Sequence, residues 1–112
     1  STGMKQRLGL ARVLASQAEV LLMDEPFASL DFLTRAELQK QVLQLQEKLP
    51  RTIILVTHQL DEALLLGQSI TVMHELGSTQ TFDLSHLPYP RDLESPELKN
   101  LREAVTEACR KK

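Results

Sequence analysis

Val20-Leu21-Leu22-Met23-Asp24-Glu25-Pro26 is a run of four apolar residues stopped by two carboxylates and a proline. The run is short, and its acidic, proline-terminated stop marks it as a buried strand of a parallel sheet. Ligands of open α/β sheets collect beyond the carboxyl ends of the strands, so Asp24 and Glu25 stand where a site would form. Two adjacent carboxylates at a buried strand end are costly unless a cation or a proton compensates them. An Mg²⁺ held through water by one, with the other orienting a nucleophilic water, resolves that cost. The alternative at this level is a solvated acidic loop start.

Working outward, Met4, Leu8, Ala11 and Ala15 recur at helical spacing, widened by Leu10 and Leu14, and predict an amphipathic helix over 4–16. Leu38, Val42, Leu45 and Leu49 predict a second helix over 34–48, with a capping box from Thr34 to Glu37 at its start and Pro50 at its end. Thr52 to Thr57 is rich in β-branched residues and predicts a second strand with His58 at its end. A short helix over 61–66, stopped by Gly67, precedes a third strand over 69–73, and 79–84 is a candidate fourth. Pro88 and Pro90 mark a loop. Ser95-Pro96-Glu97 supplies an N-cap, a first-turn proline and a first-turn acid for a last helix with Leu98, Leu101, Val105 and Ala108 inside. Alternating helices and strands imply an α/β fold with a parallel sheet flanked by helices.

Composition excludes several function classes. At 42% hydrophobic and 25% charged the chain is ordinary for a soluble globular protein. A net charge of −2 and 4% aromatic residues argue against a nucleic-acid partner, which needs a basic face or stacking rings. No apolar run reaches the length of a membrane span. The single cysteine, Cys109, rules out an internal disulfide framework, fits a reducing compartment, and reads as a half-buried small residue of the last helix. His74 and His86 fall in no motif and read as surface histidines.

Four stretches together resemble the ATP-binding domain of ABC transporters. Val20 to Pro26 looks like the Walker B motif with its second carboxylate, Ser29-Leu30-Asp31 like the D-loop, Val56-Thr57-His58 like the switch histidine, and Ser1 to Arg7 like the signature sequence. The resemblance covers residues 1–75 and implies a partial P-loop NTPase fold. It makes Glu25 and His58 catalytic, places Asp24 on Mg²⁺ through water, and runs Asp31 along the interface of a head-to-tail ATPase dimer. Read locally, Ser29 or Asp31 could instead cap the 34–48 helix. Ser1, Gly3 and Met4 would face the γ-phosphate of ATP on the opposite subunit, where a helix N-terminus offers unpaired N–H donors. Transmembrane permease subunits, and indirectly a solute-binding protein, are the further partners implied, with the chain peripheral on the cytoplasmic side of the membrane. Met23 to Arg35 and the tail from Pro88 to Glu97 resemble the nitrate, sulfonate and taurine import branch. One departure concerns Thr2, which stands where the family has a glycine. A β-branched residue would misplace the Ser1 contact if the position needs a positive φ.

The Gly-x-x-x-x-Gly-Lys-Ser/Thr loop that cradles phosphates occurs nowhere in the 112 residues. The expectation is therefore a C-terminal part of such a domain: signature motif and helix over 1–17, an α/β core over 18–84, and a C-terminal loop and helix over 85–112. The isolated chain is expected to be inactive and to leave apolar sheet surface uncovered. An alternative is a non-catalytic module that pairs with a full-length ATPase subunit. The chromosome and DNA-repair ATPases with related motifs are disfavoured because nothing here sustains a coiled coil.

Overall fold

In a computed structural model describing residues 2–110, and side chains from residue 3 onward, the first two predicted strands pair directly. Strand β1 (Val20–Asp24) lies parallel to β2 (Thr52–Val56), in register from Val20 against Thr52 to Asp24 against Val56. The elements run α1 (Thr2–Ala15), β1, α2 (Phe32–Lys48), β2, α3 (Leu60–Leu66), β3 (Ser69–Met73), β4 (Thr79–Asp83) and α4 (Pro96–Arg110). The result is a mixed α/β chain with a small parallel sheet. It divides into two compact units, residues 1–58 and 59–112.

The expected single parallel sheet is corrected in the second unit. There β3 and β4 form an antiparallel pair of their own, with Ser69 against Asp83 and Met73 against Thr79. The connection is too short for the crossover a parallel pair needs. It closes by His74 N–H to Ser78 O at 3.0 Å and Gly77 N–H to His74 O at 2.9 Å, with Gly77 at φ 87°. Glycine meets that positive φ without a Cβ penalty.

In the first unit Leu10, Leu21, Met23, Phe27, Leu30 and Val42 are buried, and α1 packs on β1. The expectation of a fully buried β1 is half met. Leu21 and Met23 face the core, whereas Val20 and Leu22 are 57% and 66% exposed, as are Ile54 and Val56 beside them at 52% and 46%. Side chains alternate across a strand, so this sheet has one covered apolar face and one open one. Helix α2 starts at Phe32, earlier than the predicted Thr34. Its cap is Asp31, whose Oδ1 accepts from Thr34 N–H at 2.8 Å and whose Oδ2 accepts from the Thr34 hydroxyl at 3.1 Å. Thr34 is thus the donor to the cap rather than the cap itself. Beyond α2, Arg51 N–H donates to Gln46 Oε1 at 3.1 Å and the Gln46 amide donates back to Arg51 O, aiming the chain into β2.

The second unit is built on Leu64 and Leu84, fully buried, with Ile70, Val72, Leu87, Leu98, Val105 and Ala108. Ser95 Oγ accepts from Leu98 N–H at 3.4 Å and opens α4 as expected. Cys109 is exposed, not half-buried, because Ala108 takes the inward position. His86 is exposed and His74 partly buried. Gly67 ends α3 at a close approach, since a Cβ there would lie 2.8 Å from Ala63 O. The Arg91 guanidinium donates to Leu64 O at 3.0 Å, Leu84 O at 3.1 Å, Leu87 O at 3.3 Å and also to Gly67 O. Among the described residues no helix is long and apolar enough to cross a membrane.

Candidate functional site

Parallel pairing of β1 and β2 sets their carboxyl ends side by side. The ladder continues one residue past β1, where Glu25 N–H donates to Val56 O at 2.8 Å. The backbone then turns sharply. Glu25 has φ 47° and is the one non-glycine residue with positive φ among those described. A side chain held in the left-handed region costs about 1–3 kcal/mol and persists only where its surroundings over-determine it.

That turn aims the carboxylate across the strand ends at the residue following β2. Glu25 Oε1 accepts the backbone N–H of His58 at 2.8 Å and also meets its ring Nδ1. A carboxylate only accepts, so the contact with Glu25 assigns Nδ1 as the donor and leaves Nε2 facing away from the pair. The Glu25 side chain is 27% exposed and that of His58 is 91% exposed. A partly shielded carboxylate therefore orients an imidazole that is almost wholly open to a ligand. The carboxylate of such a pair can take a proton from water, and the ring can meet an anion only as a donor, through an Nε2–H.

The other sequence-predicted residues are placed less closely together. Asp24 ends β1 with an exposed side chain. Asp31 is committed to capping α2, and the backbone N–H of Thr34, then its hydroxyl, holds the carboxyl below the ordinary aspartate range. Gly3 and Met4 stand in the first turn of α1, Met4 exposed, while Ser1 lies outside the described residues. Thr2 opens α1. Among the described residues no three His, Cys, Asp or Glu side chains converge as a metal cage.

Sequence reasoning missed Gln6. Its amide N–H donates to Glu25 O at 2.9 Å and its amide oxygen accepts from Ser29 N–H at 2.7 Å. Nothing in the local spacing announces a bridge between residues so far apart in the chain.

Residues 1–28 match the family model described as ABC transporter. The chain is a relative of the ABC transporter ATP-binding subunits. The match to that family runs from Ser1 through α1 and β1 to just beyond Glu25. Similar proteins include a glycine betaine/carnitine transport ATP-binding protein of Listeria monocytogenes, 52% identical over 72% of this chain and 20% of its own length. A nitrate transport protein of Klebsiella oxytoca is 47% identical over 82% of this chain and 36% of its own. An aliphatic sulfonates import ATP-binding protein of Bacillus subtilis is 41% identical over 94% and 42%. The chain spans less than half the length of these curated relatives.

The Asp31 cap carries a pH dependence whose sign is set by the hydrogen bonds. A carboxyl depressed in the folded state releases its proton more readily folded than unfolded. Its stabilisation is present above the unfolded value, about 3.9, and is lost as pH falls through the lower folded value. Asp31→Asn keeps an acceptor for Thr34 N–H but does not titrate. The melting temperature of the variant is therefore expected to fall less steeply than that of the parent as pH is lowered below about 4. Parallel pH curves for the two proteins would refute this assignment.

Proposed function

We propose that residues 1–112 are the C-terminal part of an ATP-hydrolysing subunit that powers import of a small solute across the cytoplasmic membrane. The observation that carries this reading is the meeting of Glu25 and His58 at the carboxyl ends of two adjacent parallel strands. Glu25 takes the proton of the attacking water, and His58 presents its ring to the γ-phosphate while its Nδ1 is held by Glu25. Phosphoryl transfer asks the protein mainly for positioning and charge stabilisation, which fits a preset pair better than a nucleophile.

Asp24 suits Mg²⁺, because that ion keeps most of its waters and binds through one or two carboxylates together with substrate phosphates. Mg²⁺, when bound with ATP, neutralises charge on the β- and γ-phosphates. At the start of α1, a Cβ on Gly3 would meet Leu30 Cδ2 and Ser29 O only at 3.8 Å, ordinary contact. Among the described residues nothing demands glycine there, and the resemblance to the ABC signature sequence suggests close approach of a phosphate to the N–H groups as its reason. Ser1, Gly3 and Met4 then face the ATP of a second subunit, with Asp31 along the interface and permease subunits anchoring the pair. Nitrate, sulfonates or taurine are the solute class that the sequence favours, and other subunits choose among them.

The purified chain alone is expected to show no ATP turnover. Adding the P-loop-bearing N-terminal half of an ABC importer subunit is expected to restore it. Turnover by the chain alone that Glu25→Gln abolishes would overturn the expectation of inactivity. Failure of every complementing half to restore turnover would overturn the ATPase assignment.

A further inference from the structure

Glu25 needs its backbone held, because φ 47° is tolerated only under constraint. Its N–H is fixed by Val56 O, but Pro26 follows and offers no N–H to anchor the far side of the turn. The carbonyl of Glu25 accepts from Ala28 N–H at 3.3 Å, a long bond within the turn. The shorter bond to that carbonyl comes from outside the turn, from Gln6 Nε2 at 2.9 Å, and the same amide receives Ser29 N–H at 2.7 Å. One planar group therefore fixes the turn at both ends.

We propose that Gln6 is a positioning residue that locks the Glu25 backbone in its left-handed conformation and so keeps the carboxylate on His58. Rotation at residue 25 swings Cα–Cβ relative to β2, and the carboxylate leaves both His58 donors together. Gln6 is carried on α1 and hydrogen-bonds neither His58 nor the Glu25 carboxylate, so its hold on the pair runs through the main chain. Its consequence for turnover rests on the ATPase assignment, whereas its effect on the Glu25–His58 pair does not. Gln46, which clasps Arg51 N–H and O in the same manner, provides a matched amide clamp that makes no contact with Glu25 or His58.

In the 112-residue chain, Gln6→Met is expected to move the His58 ring resonances toward those of Glu25→Ala. It should also speed hydrogen exchange at Ser29 N–H by about 2–10-fold, the loss of one amide hydrogen bond. Gln46→Ala should change neither signal. Gln6→Glu keeps the acceptor for Ser29 N–H and replaces the donor to Glu25 O with a carboxylate oxygen. It should retain Ser29 protection yet still shift His58, which covers the case in which Gln6→Met fails to fold. In protein completed with a P-loop-bearing half, Gln6→Met is expected to lower kcat by about 10–100-fold at unchanged KM for ATP, and to add less than about two-fold in a Glu25→Gln background, the non-additivity of residues acting as one unit. His58 resonances unmoved in both Gln6 variants, or equal losses in the two backgrounds, would overturn the proposal. A completed wild-type protein without turnover would reject the ATPase assignment alone, leaving the resonances to decide for Gln6.

Discussion

Glu25→Gln in a completed protein, residues 1–112 joined by a P-loop-bearing half, is expected to lower ATP turnover by about 10²–10⁴-fold, the range a lost general base commands. ATP binding should persist. The amide is nearly isosteric with the carboxylate and its oxygen can still accept His58 N–H, so the backbone turn and the sheet end have no reason to move. What is lost is the ability to take a proton from water and the negative charge that faces Nδ1 of His58. The effect should therefore lie in kcat, with KM near its parent value, because the missing interaction is made only as the reaction proceeds. His58→Ala is expected to cost less than Glu25→Gln, since it leaves a base in place. A Glu25→Gln protein within ten-fold of the parent rate would remove Glu25 from the chemistry and with it the central claim about the strand ends.

How much of this was legible in the sequence depends on distance along the chain. Glu25 and His58 each follow a strand, and the rule that ligands gather at strand ends was enough to single them out. Their direct contact was not legible, because it needs the parallel register of β1 on β2 and the left-handed turn at Glu25. Helix α4 was readable because Ser95, Pro96 and Glu97 cap it locally and its apolar stripe is regular. At the start of α2, Thr34 and Glu37 satisfy the capping pattern, while Asp31 three residues earlier, which could also be read as a cap, does the capping. Threonine and aspartate both cap helices, and spacing alone does not rank them. The pairing of β3 with β4 was open to prediction from the short link through Gly77, a turn signal outweighed by the helix–strand alternation before it. Gln6 and Arg91 were invisible for a common reason: each bonds main-chain groups, whose positions depend on the finished fold.

Arg91→Met is expected to cost about 2–4 kcal/mol of stability, the penalty for removing a charged donor from several buried acceptors. Methionine keeps the apolar stem and removes only the guanidinium. That group serves Leu64 O and Gly67 O at the end of α3, and Leu84 O and Leu87 O in the turn after β4. The last carbonyls of a helix have no partner of their own, and Arg91 binds two of them to the next turn. Burial lowers its pKa, and the nearby Tyr89 opposes that shift, yet an arginine stays charged throughout the working range. The guanidinium also lies 4.2 Å from the Tyr89 ring centroid. A cation–π contact is worth about 0.5–1 kcal/mol at a half-exposed site, so the carbonyl bonds dominate. Tyr89→Phe removes only the hydroxyl bond to Leu66 O at 2.7 Å and should cost about 1 kcal/mol. Arg91→Lys separates charge from geometry: one ammonium cannot reach acceptors spread around a planar fork, so lysine should recover less than half of the loss. Urea unfolding at neutral pH reads all three variants. If methionine and lysine both fall within about 0.5 kcal/mol of the parent, the ordinary range for a surface substitution, the guanidinium is not what joins α3 to the turn after β4.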